Sequence, residues 1–514
     1  MEELLLKNNL IANFLGQGWN AFISIAFIPL YIKYLGIEAY GLIGVYAMLQ
    51  AWFTLLDMGM APTLSREMAR YTTGLSDSQY IRTLLRSVEV IAACVALLLF
   101  LSVFAGSDWL AKNWLTSDKL SVETIRSAFI AMGCVAALRF IENIYRSSIV
   151  GLQRQVILNV VISISATVRS VGAVGVLAWI SPTIESFFMW QAFASFLTAI
   201  SFGVVTYSSI PKTGRSTKFS IDSLRNVWKF AGGMLGISFL AILLTQTDKL
   251  LLSKLLSLKD YGYYSLAAVV ASATNSLVGP ISQAWSPKLS ALSASNDDIR
   301  IRATYHLGSQ LVSVLVGSAA VVLMVFSDVI IALWTNDKDL AQRISAIVCL
   351  LTFGNLLNCL MWIPYQLQLA YGYTSIMLRI NAFCVAVVVP SILLITPKFG
   401  MEGAGWVWVC LNAFYLLLGI QIMHQKILVG EKWTWYVSDV FLPLVAAGMV
   451  ALVARAAYTE SASVVFQVFF VATVLFATLA GASMAASSVR NKVQLALSGA
   501  ISAGISKYAM VRKS

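Results

Sequence analysis

Long apolar runs separated by short polar segments recur along the whole chain. Each run can cross a hydrocarbon layer of about 30 Å, which requires about 20 apolar residues in a helix. The strands of a membrane-spanning barrel are only about 10 residues long and alternate in polarity, so that class is excluded. The pattern predicts an all-α integral membrane protein with about fourteen transmembrane helices. We place these spans at residues 10–35, 41–62, 84–107, 124–149, 155–180, 186–207, 227–252, 262–286, 305–333, 343–369, 375–396, 402–423, 437–457 and 462–487.

The composition agrees with this pattern. Of the 514 residues, 59% are hydrophobic and 12% are charged, whereas about 25% of the residues are charged in an average soluble domain. A water-soluble fold is thereby excluded. The first run is longer than the apolar part of a signal peptide, which has about 7–15 residues. We therefore expect this run to be a transmembrane helix rather than a cleaved signal.

The charges predict an orientation in the membrane. Lysine and arginine are concentrated in the loops and tail on the same side as the N-terminus. Because basic loops are retained in the cytoplasm, we predict that both termini are cytoplasmic. The net charge of +12 follows from this bias, and we predict no nucleic-acid partner.

No motif for metal, nucleotide or disulfide chemistry is present. The six cysteines lie in apolar runs and none is spaced as C-x-x-C, which argues against a metal site or a disulfide framework. The phosphate-binding motif G-x-x-x-x-G-K-[ST] does not occur, so we do not expect ATP hydrolysis. We predict no cofactor and no bound metal.

The chain contains a weak internal repeat. Gly41 ends the sequence Glu-Ala-Tyr-Gly after the first span, and Gly262 ends Lys-Asp-Tyr-Gly 221 residues later. Gly151 and Gly372 are separated by the same interval. Six spans per half give both halves the same orientation, and transporters with such repeats bind substrate between the halves. The predicted divisions are two pseudo-symmetric six-helix lobes at 1–210 and 227–425, a cytoplasmic linker at 211–226, and a C-terminal helix pair with a cytoplasmic tail at 426–514.

Arginines inside the spans are candidate functional groups, because an ionisable group in lipid is costly unless it faces protein or water. Arg139, Glu142 and Arg146 occupy positions i, i+3 and i+7 of span 4, which places them on one helix face. The spacing has two interpretations: a self-neutralising Arg139–Glu142 pair, or a positive face toward a cavity. Arg169 lies far from either end of span 5, and we expect it to face the interior.

Other polar groups in the spans are also candidate functional residues. Asp57 is a deep acid in span 2, and Asp248 and Lys249 end a polar cluster in span 7. A desolvated carboxylate can carry a coupling proton or form a local cap. Asn13 and Gln17 belong to a polar stripe on span 1, and such amides either join helices or line a cavity.

Three further groups receive no functional role from the sequence. Asp439 stands at the start of span 13, where we expect it to cap the helix. His306 and His424 are expected at the cytoplasmic interface without chemistry of their own.

Several motifs resemble the polysaccharide-export and O-antigen flippase family. The similarity in layout covers essentially the whole chain, and the motifs do not indicate which sugar is carried. They are Asn13-Phe14-Leu15-Gly16, Pro29-Leu30-Tyr31-Ile32-Lys33-Tyr34-Leu35-Gly36, Leu56-Asp57-Met58-Gly59-Met60, Ser65-Arg66-Glu67-Met68-Ala69-Arg70, and Thr247-Asp248-Lys249 with Gly262-Tyr263-Tyr264-Ser265.

The resemblance implies a transporter of the multidrug/oligosaccharidyl-lipid/polysaccharide exporter superfamily, not an enzyme. Its substrate would be an oligosaccharide on undecaprenyl diphosphate, such as a lipopolysaccharide O-antigen repeat unit, moved across the bacterial inner membrane by ion-coupled alternating access. Its partners would be this lipid-linked oligosaccharide, membrane lipid, and a polysaccharide polymerase with other assembly proteins. The implied substrate-binding residues are Arg139, Arg146, Arg169 and Lys249, to which we add Asn13 and Gln17; the implied coupling or gating acids are Asp57, Asp248 and Glu142.

Two alternatives remain open. A cation-coupled multidrug antiporter of the same superfamily would need an acid-lined cavity, whereas arginine is in excess in these spans. A membrane glycosyltransferase or O-antigen polymerase would carry its reactive groups on a sizeable outer loop. The spans 13 and 14 exceed a twelve-span pattern, and related lipid-linked flippases use such a pair as a groove for the lipid tail.

Overall fold

The computed structural model describes residues 2–212, 219–221, 228–295, 297–459 and 463–495. Within these ranges the secondary structure is helical, and the only β-type pairing is one isolated bridge between Thr116 and Ser257. Each of the fourteen predicted spans overlaps a helix. The prediction of an all-α membrane protein is therefore confirmed.

Twelve helical segments of the described residues are long and apolar enough to cross a membrane. Two predicted spans are not counted separately among them. The ranges 375–396 and 402–423 share one helix, Thr374–Lys426, which is interrupted only by the non-helical residue Gly400. The predicted span 227–252 falls on the helix Trp228–Leu255, which is not among the twelve segments.

The chain divides into two compact units, Met1–Ser265 and Leu266–Ser514. In the first unit the helices are α1 (Glu2–Ala26), α2 (Ile28–Leu35), α3 (Ile37–Phe53), α4 (Met60–Thr72), α5 (Ser78–Trp109), α6 (Val122–Gly151), α7 (Gln155–Trp179), α8 (Ile184–Ser208) and α9 (Trp228–Leu255). Helix α10 (Leu258–Ser276) begins in this unit and continues into the next. The second unit contains α11 (Val278–Ala294), α12 (Asp298–Val325), α13 (Ser327–Thr335), α14 (Lys338–Leu360), α15 (Trp362–Ala370), α16 (Thr374–Lys426), α17 (Lys432–Thr434), α18 (Leu442–Ala457) and α19 (Val464–Ala485).

The long helices of the first unit begin at polar caps that the sequence supplies. The side chains of Asp77, Ser121 and Thr183 accept hydrogen bonds from backbone N–H groups in the first turns of α5, α6 and α8. Such caps satisfy donors that would otherwise be unpaired at a helix start. A cluster that includes Leu84 of α5 and Phe140 of α6 forms the core between these helices.

Helix α12 is the central helix of the second unit. Its apolar face packs in a buried cluster with Trp435, which is completely buried and donates a hydrogen bond from Nε1 to the Ser309 hydroxyl at 3.1 Å. Helices α18 and α19, the predicted appended pair, pack against α12 through a second cluster. At one end of this pair, Arg455 donates to Asp328 at 2.6 Å.

Two glycines of the predicted repeat, Gly41 and Gly262, lie at a close contact between helices in the first unit. A Cβ atom added to Gly41 of α3 would lie 2.3 Å from the carbonyl oxygen of Leu258, and one added to Gly262 would lie 2.4 Å from that of Ile37. Helices α3 and α10 therefore approach at their backbones, as small residues permit between membrane helices.

The predicted lobe boundaries stay a prediction. Much of the linker at 211–226 lies outside the described residues, as does the tail from residue 496 onward.

Candidate functional site

A cavity of about 620 Å³ lies within the first unit. Helices α1, α2, α3, α6, α7 and α8 contribute to its wall, together with the short 3₁₀ helix Thr54–Asp57. The charged residues that line it are Asp57, Arg139, Glu142, Arg146 and Arg169. Five of the nine predicted site residues are therefore gathered around one cavity.

Helix α6 presents Arg139, Glu142 and Arg146 to the cavity from one face, as the spacing predicts. The guanidinium group of Arg139 donates to the side-chain oxygen of Gln50 at 2.8 Å and lies over the ring of Tyr46, 5.7 Å from its centroid. A cation over an aromatic face is attracted by the ring's electrons. Two residues of α3 thus hold this arginine, and neither neutralises its charge.

Glu142 pairs with an arginine from the neighbouring helix. Arg169 of α7 donates to its carboxylate at 3.3 Å and to the Ser195 hydroxyl of α8 at 3.5 Å. Both partners are mostly buried, with 17% and 16% of their side chains exposed. The structure records this pair for Glu142 rather than the Arg139–Glu142 pair that the spacing also allowed. The expectation that Arg169 faces the interior is met.

Asp57 lines the cavity but also has a local structural role. Both of its carboxylate oxygens accept from the backbone N–H of Ala61 at 3.1 Å. Met58 and Gly59 between them have φ angles of 49° and 75°, in the left-handed region that ends one helix and begins the next. The carboxylate therefore satisfies a donor at the start of α4.

The predicted amides of span 1 do not line this cavity. Asn13 accepts a hydrogen bond from the side chain of Asn159 of α7 at 2.6 Å, which makes it an interhelical contact. Gln17 is exposed. Asn20, one turn further along α1, does contribute to the cavity wall.

The acid and the lysine of span 7 also lie away from the cavity wall. Asp248 accepts a hydrogen bond from the Tyr264 hydroxyl at 3.4 Å. Lys249 donates to the side-chain oxygen of Gln246 at 3.5 Å. Their predicted roles remain predictions.

Several polar residues of the wall were not identified from the sequence. Gln50, Asn143 and Gln191 each place an amide among apolar residues of spans 2, 4 and 6. An amide within a mostly apolar run was the signal available for them. Together with the arginines they give the cavity many hydrogen-bond donors and acceptors.

The chemistry of the cavity favours a bulky anion with polar substituents. Three guanidinium groups face two carboxylates there, so positive charge is in excess. Arginine binds phosphate oxygens through two parallel hydrogen bonds, and such bonds are about twice as strong as neutral ones. Among the described residues, no group of three or more potential metal ligands is found.

Comparison with known proteins identifies a sequence family that matches this chain. The sequence model of a family described as polysaccharide biosynthesis protein matches residues 6–293, more than half of the chain. A protein of Shigella flexneri named "Putative O-antigen transporter" is 20% identical over 413 residues, which cover 79% of this chain and 94% of that protein.

Two solved structures share the fold over nearly their whole length. The lipid II flippase MurJ, in an inward closed conformation, superposes with a TM-score of 0.67 at 14% identity, covering 91% of this chain and 97% of MurJ. A multidrug resistance MATE family transporter of the MOP superfamily, in an inward-facing conformation, has a TM-score of 0.64 at 12% identity, covering 80% and 96%. The resemblance drawn from the sequence motifs is therefore confirmed.

Proposed function

This chain belongs to the polysaccharide biosynthesis protein family, and from that premise we propose that it is a flippase for a lipid-linked oligosaccharide. The proposed substrate is an oligosaccharide on undecaprenyl diphosphate, such as an O-antigen repeat unit. The protein moves this headgroup from the cytoplasmic to the outer leaflet of a bacterial inner membrane. A polysaccharide polymerase and other assembly proteins are the partners expected to consume the product.

The observation that carries this proposal is the arginine-lined cavity of the first unit. Arg139, Arg146 and Arg169 lie around it, at positions flanked by long apolar stretches. Charged side chains in such a place are expensive unless they face water, a polar ligand or polar groups of the protein. A diphosphate would complete the hydrogen bonds of these guanidinium groups.

The remaining wall suits the sugars. A glycan that enters hydrocarbon without replacing its hydrogen bonds loses several kcal/mol for each hydroxyl. The side chains of Asn20, Gln50, Asn143 and Gln191 around the cavity offer replacements for those bonds. The prenyl chain needs no such protection and stays in the lipid.

Movement of a headgroup across the membrane requires alternating access, and we propose that an ion gradient drives it. Asp57, Glu142 and Asp248 are the candidate coupling or gating acids. Glu142 is the best placed of the three, because it already holds Arg169 and must release that arginine when an anion binds. Lys249, Asn13 and Gln17 stay candidate contacts for the headgroup in other steps of the cycle.

The competing functions receive less support. A multidrug antiporter for cations would meet an excess of arginine in this cavity, which repels its substrate. A glycosyltransferase or polymerase would need a built acid–base site, and the carboxylates here are engaged by Ala61 and Arg169.

The decisive experiment complements a deletion strain with variants of the cavity arginines. Deletion is expected to cause accumulation of the lipid-linked repeat unit on the cytoplasmic face and loss of the surface glycan. A hydrogen bond to a charged group contributes about 1.5–3 kcal/mol, so Arg139→Ala and Arg169→Ala should each reduce translocation about 10- to 100-fold. Arg139→Lys should restore only part of it, because lysine lacks the bidentate geometry.

Arg126→Ala is the matched control. Arg126 lies on the same helix α6 but pairs with exposed Glu123 at 3.2 Å and does not line the cavity. All variants are compared at equal membrane abundance. Normal export by both cavity variants would refute the substrate site, and a normal surface glycan in the deletion strain would refute the flippase function itself.

A further inference from the structure

A second polar cluster lies in the second unit, where the sequence predicted no chemistry. His306 of α12 has its Nδ1 atom 2.5 Å from the Asp439 carboxylate and its Nε2 atom 3.3 Å from that of Glu431. Asp439 was expected to cap a helix, and this is wrong: the residue lies within the π-helical segment Trp435–Phe441 and is completely buried. One imidazole ring is thus held between two acids.

The neighbouring hydrogen bonds fix the orientation of the Gln310 amide. The backbone N–H groups of Ser488 and Val489 both donate to the side-chain oxygen of Gln310, at 2.8 and 3.3 Å. The amide nitrogen of Gln310 must then face Asp439, to which it donates at 2.8 Å. Because that amide can only donate, the Oδ1 atom of Asp439 accepts on this side, while its Oδ2 atom faces Nδ1 of His306.

The second acid, Glu431, is ionised. Arg302 donates to Glu431 at 2.5 Å. Burial raises the pKa of Glu431, but the hydrogen bond from Arg302 and the charges of His306 and Arg302 outweigh it and hold this pKa below its usual value. Both ring nitrogens of His306 therefore face acidic side chains, Nδ1 at hydrogen-bond distance from Asp439 and Nε2 at ion-pair distance from Glu431 without hydrogen-bond geometry. A positive charge on the ring is stabilised by the acids on both sides.

The second histidine of the chain, His424, has different hydrogen-bond partners from His306. His424 places Nδ1 3.1 Å from the carbonyl oxygen of Ile420 and Nε2 3.3 Å from the Tyr305 hydroxyl. A carbonyl can only accept, so His424 donates through Nδ1 and is satisfied as a neutral ring. Lys432, which contacts Gln421, is the remaining cation nearby.

These contacts join three parts of the chain that are distant in sequence. His306 and Gln310 belong to α12, Asp439 precedes α18, and Ser488 follows α19. The cluster therefore fastens one end of the C-terminal helix pair to α12. The other end is fastened by the ion pair of Arg455 with Asp328.

We propose that His306 is a proton-binding site whose proton holds the C-terminal helix pair against α12. When the proton leaves, Asp439 and Glu431 face a neutral ring and its ion pairs with both acids are lost. The end of the pair at the His306 cluster is then released while the Arg455 end stays attached. The site lies in the second unit and stands independently of the proposed substrate cavity.

The chain has only two histidines, which allows a direct test. Full-length protein without a histidine tag is labelled with ¹⁵N-histidine, reconstituted in lipid bilayers and studied by solid-state NMR at pH 7. We expect one ring protonated on both nitrogens and one neutral ring protonated on Nδ1. His424→Gln should remove the neutral signal only. Two neutral rings in the wild-type protein would overturn the proposal.

Hydrogen exchange tests whether His306 holds the C-terminal helix pair against α12. The amides of Ser488 and Val489 should exchange about 10- to 100-fold faster in His306→Gln, the loss expected for one charge-assisted hydrogen bond, after correction for intrinsic rates. In the wild-type protein the same acceleration should appear as pH rises and the doubly protonated signal disappears. Unchanged protection in His306→Gln would overturn the proposal. Should that variant fail to fold, Glu431→Gln at the partly exposed side of the ring is measured in the same way.

Discussion

Replacing Gly41 by alanine tests the backbone contact between α3 and α10 most directly. The added Cβ atom would lie 2.3 Å from the carbonyl oxygen of Leu258, and real Cβ atoms essentially never come closer than 3.0 Å. The two helices must therefore separate by about 0.7 Å or more. Overpacking of this kind costs about 1–3 kcal/mol, because the obstacle is backbone and cannot rotate away.

The control is a glycine in an open position. Gly106 of α5 has nothing within 4 Å of an added Cβ, and alanine in place of glycine within a helix stabilises by about 0.5–1 kcal/mol. Both glycines are within helices, so this gain applies to both variants, and they should differ by the overpacking cost of about 1–3 kcal/mol in free energy of unfolding. Gly262→Ala, which meets the carbonyl oxygen of Ile37 at 2.4 Å, should behave like Gly41→Ala.

The assay is the midpoint of thermal unfolding of the purified protein in one detergent. For large domains 1 kcal/mol corresponds to about 2–4 °C, so Gly41→Ala should unfold several degrees below Gly106→Ala. A Gly41→Ala midpoint equal to or above that of Gly106→Ala would refute the close approach of the two helices.

Three further predictions concern substitutions at Glu38, Arg455 and Gly400. Glu38 is 5% exposed and accepts from a hydroxyl and two backbone N–H groups of the loop before α6, so Glu38→Gln should cost about 1–3 kcal/mol and speed proteolysis of that loop; unchanged cleavage would contradict this. Arg455→Gln removes the pair with Asp328 and the contact with a phenyl ring at 5.4 Å, and should cost about 1–2 kcal/mol, an effect that high salt reduces. Gly400 has φ 58° and ψ −146°, a region nearly restricted to glycine, so Gly400→Ala should cost about 1–3 kcal/mol, whereas Gly448→Ala, with open space around it, should not.

The sequence best predicted those features of the fold and the site that depend on a single helix. Hydropathy located the spans, and helical spacing placed Arg139, Glu142 and Arg146 on a single face. Both signals are local, because they depend only on the 3.6-residue period of a helix. The pairing of Glu142 with Arg169 depends instead on how α6 and α7 pack, which no spacing within one helix reveals.

Two other features also depended on packing that the sequence does not show. In span 1 the polar stripe was visible, but the rotation of α1 decides that Asn20 lines the cavity while Asn13 contacts Asn159. Asp439 was assigned to a helix start because the apolar run begins there, yet the helix extends back to Lys432 and carries Asp439 into its interior. Its partners come from α12, far away in sequence.

The turn at Gly400 fixes the register of the last span of the predicted repeat. Trp408 donates to Asn355 at 3.0 Å, and Asn358 donates to Asn412 at 2.9 Å. One inserted residue would rotate everything after the turn by about 100°, which would carry Trp408 and Asn412 away from both amides. Homologous chains should therefore tolerate insertions and deletions in their longer connections but keep the length of this turn constant.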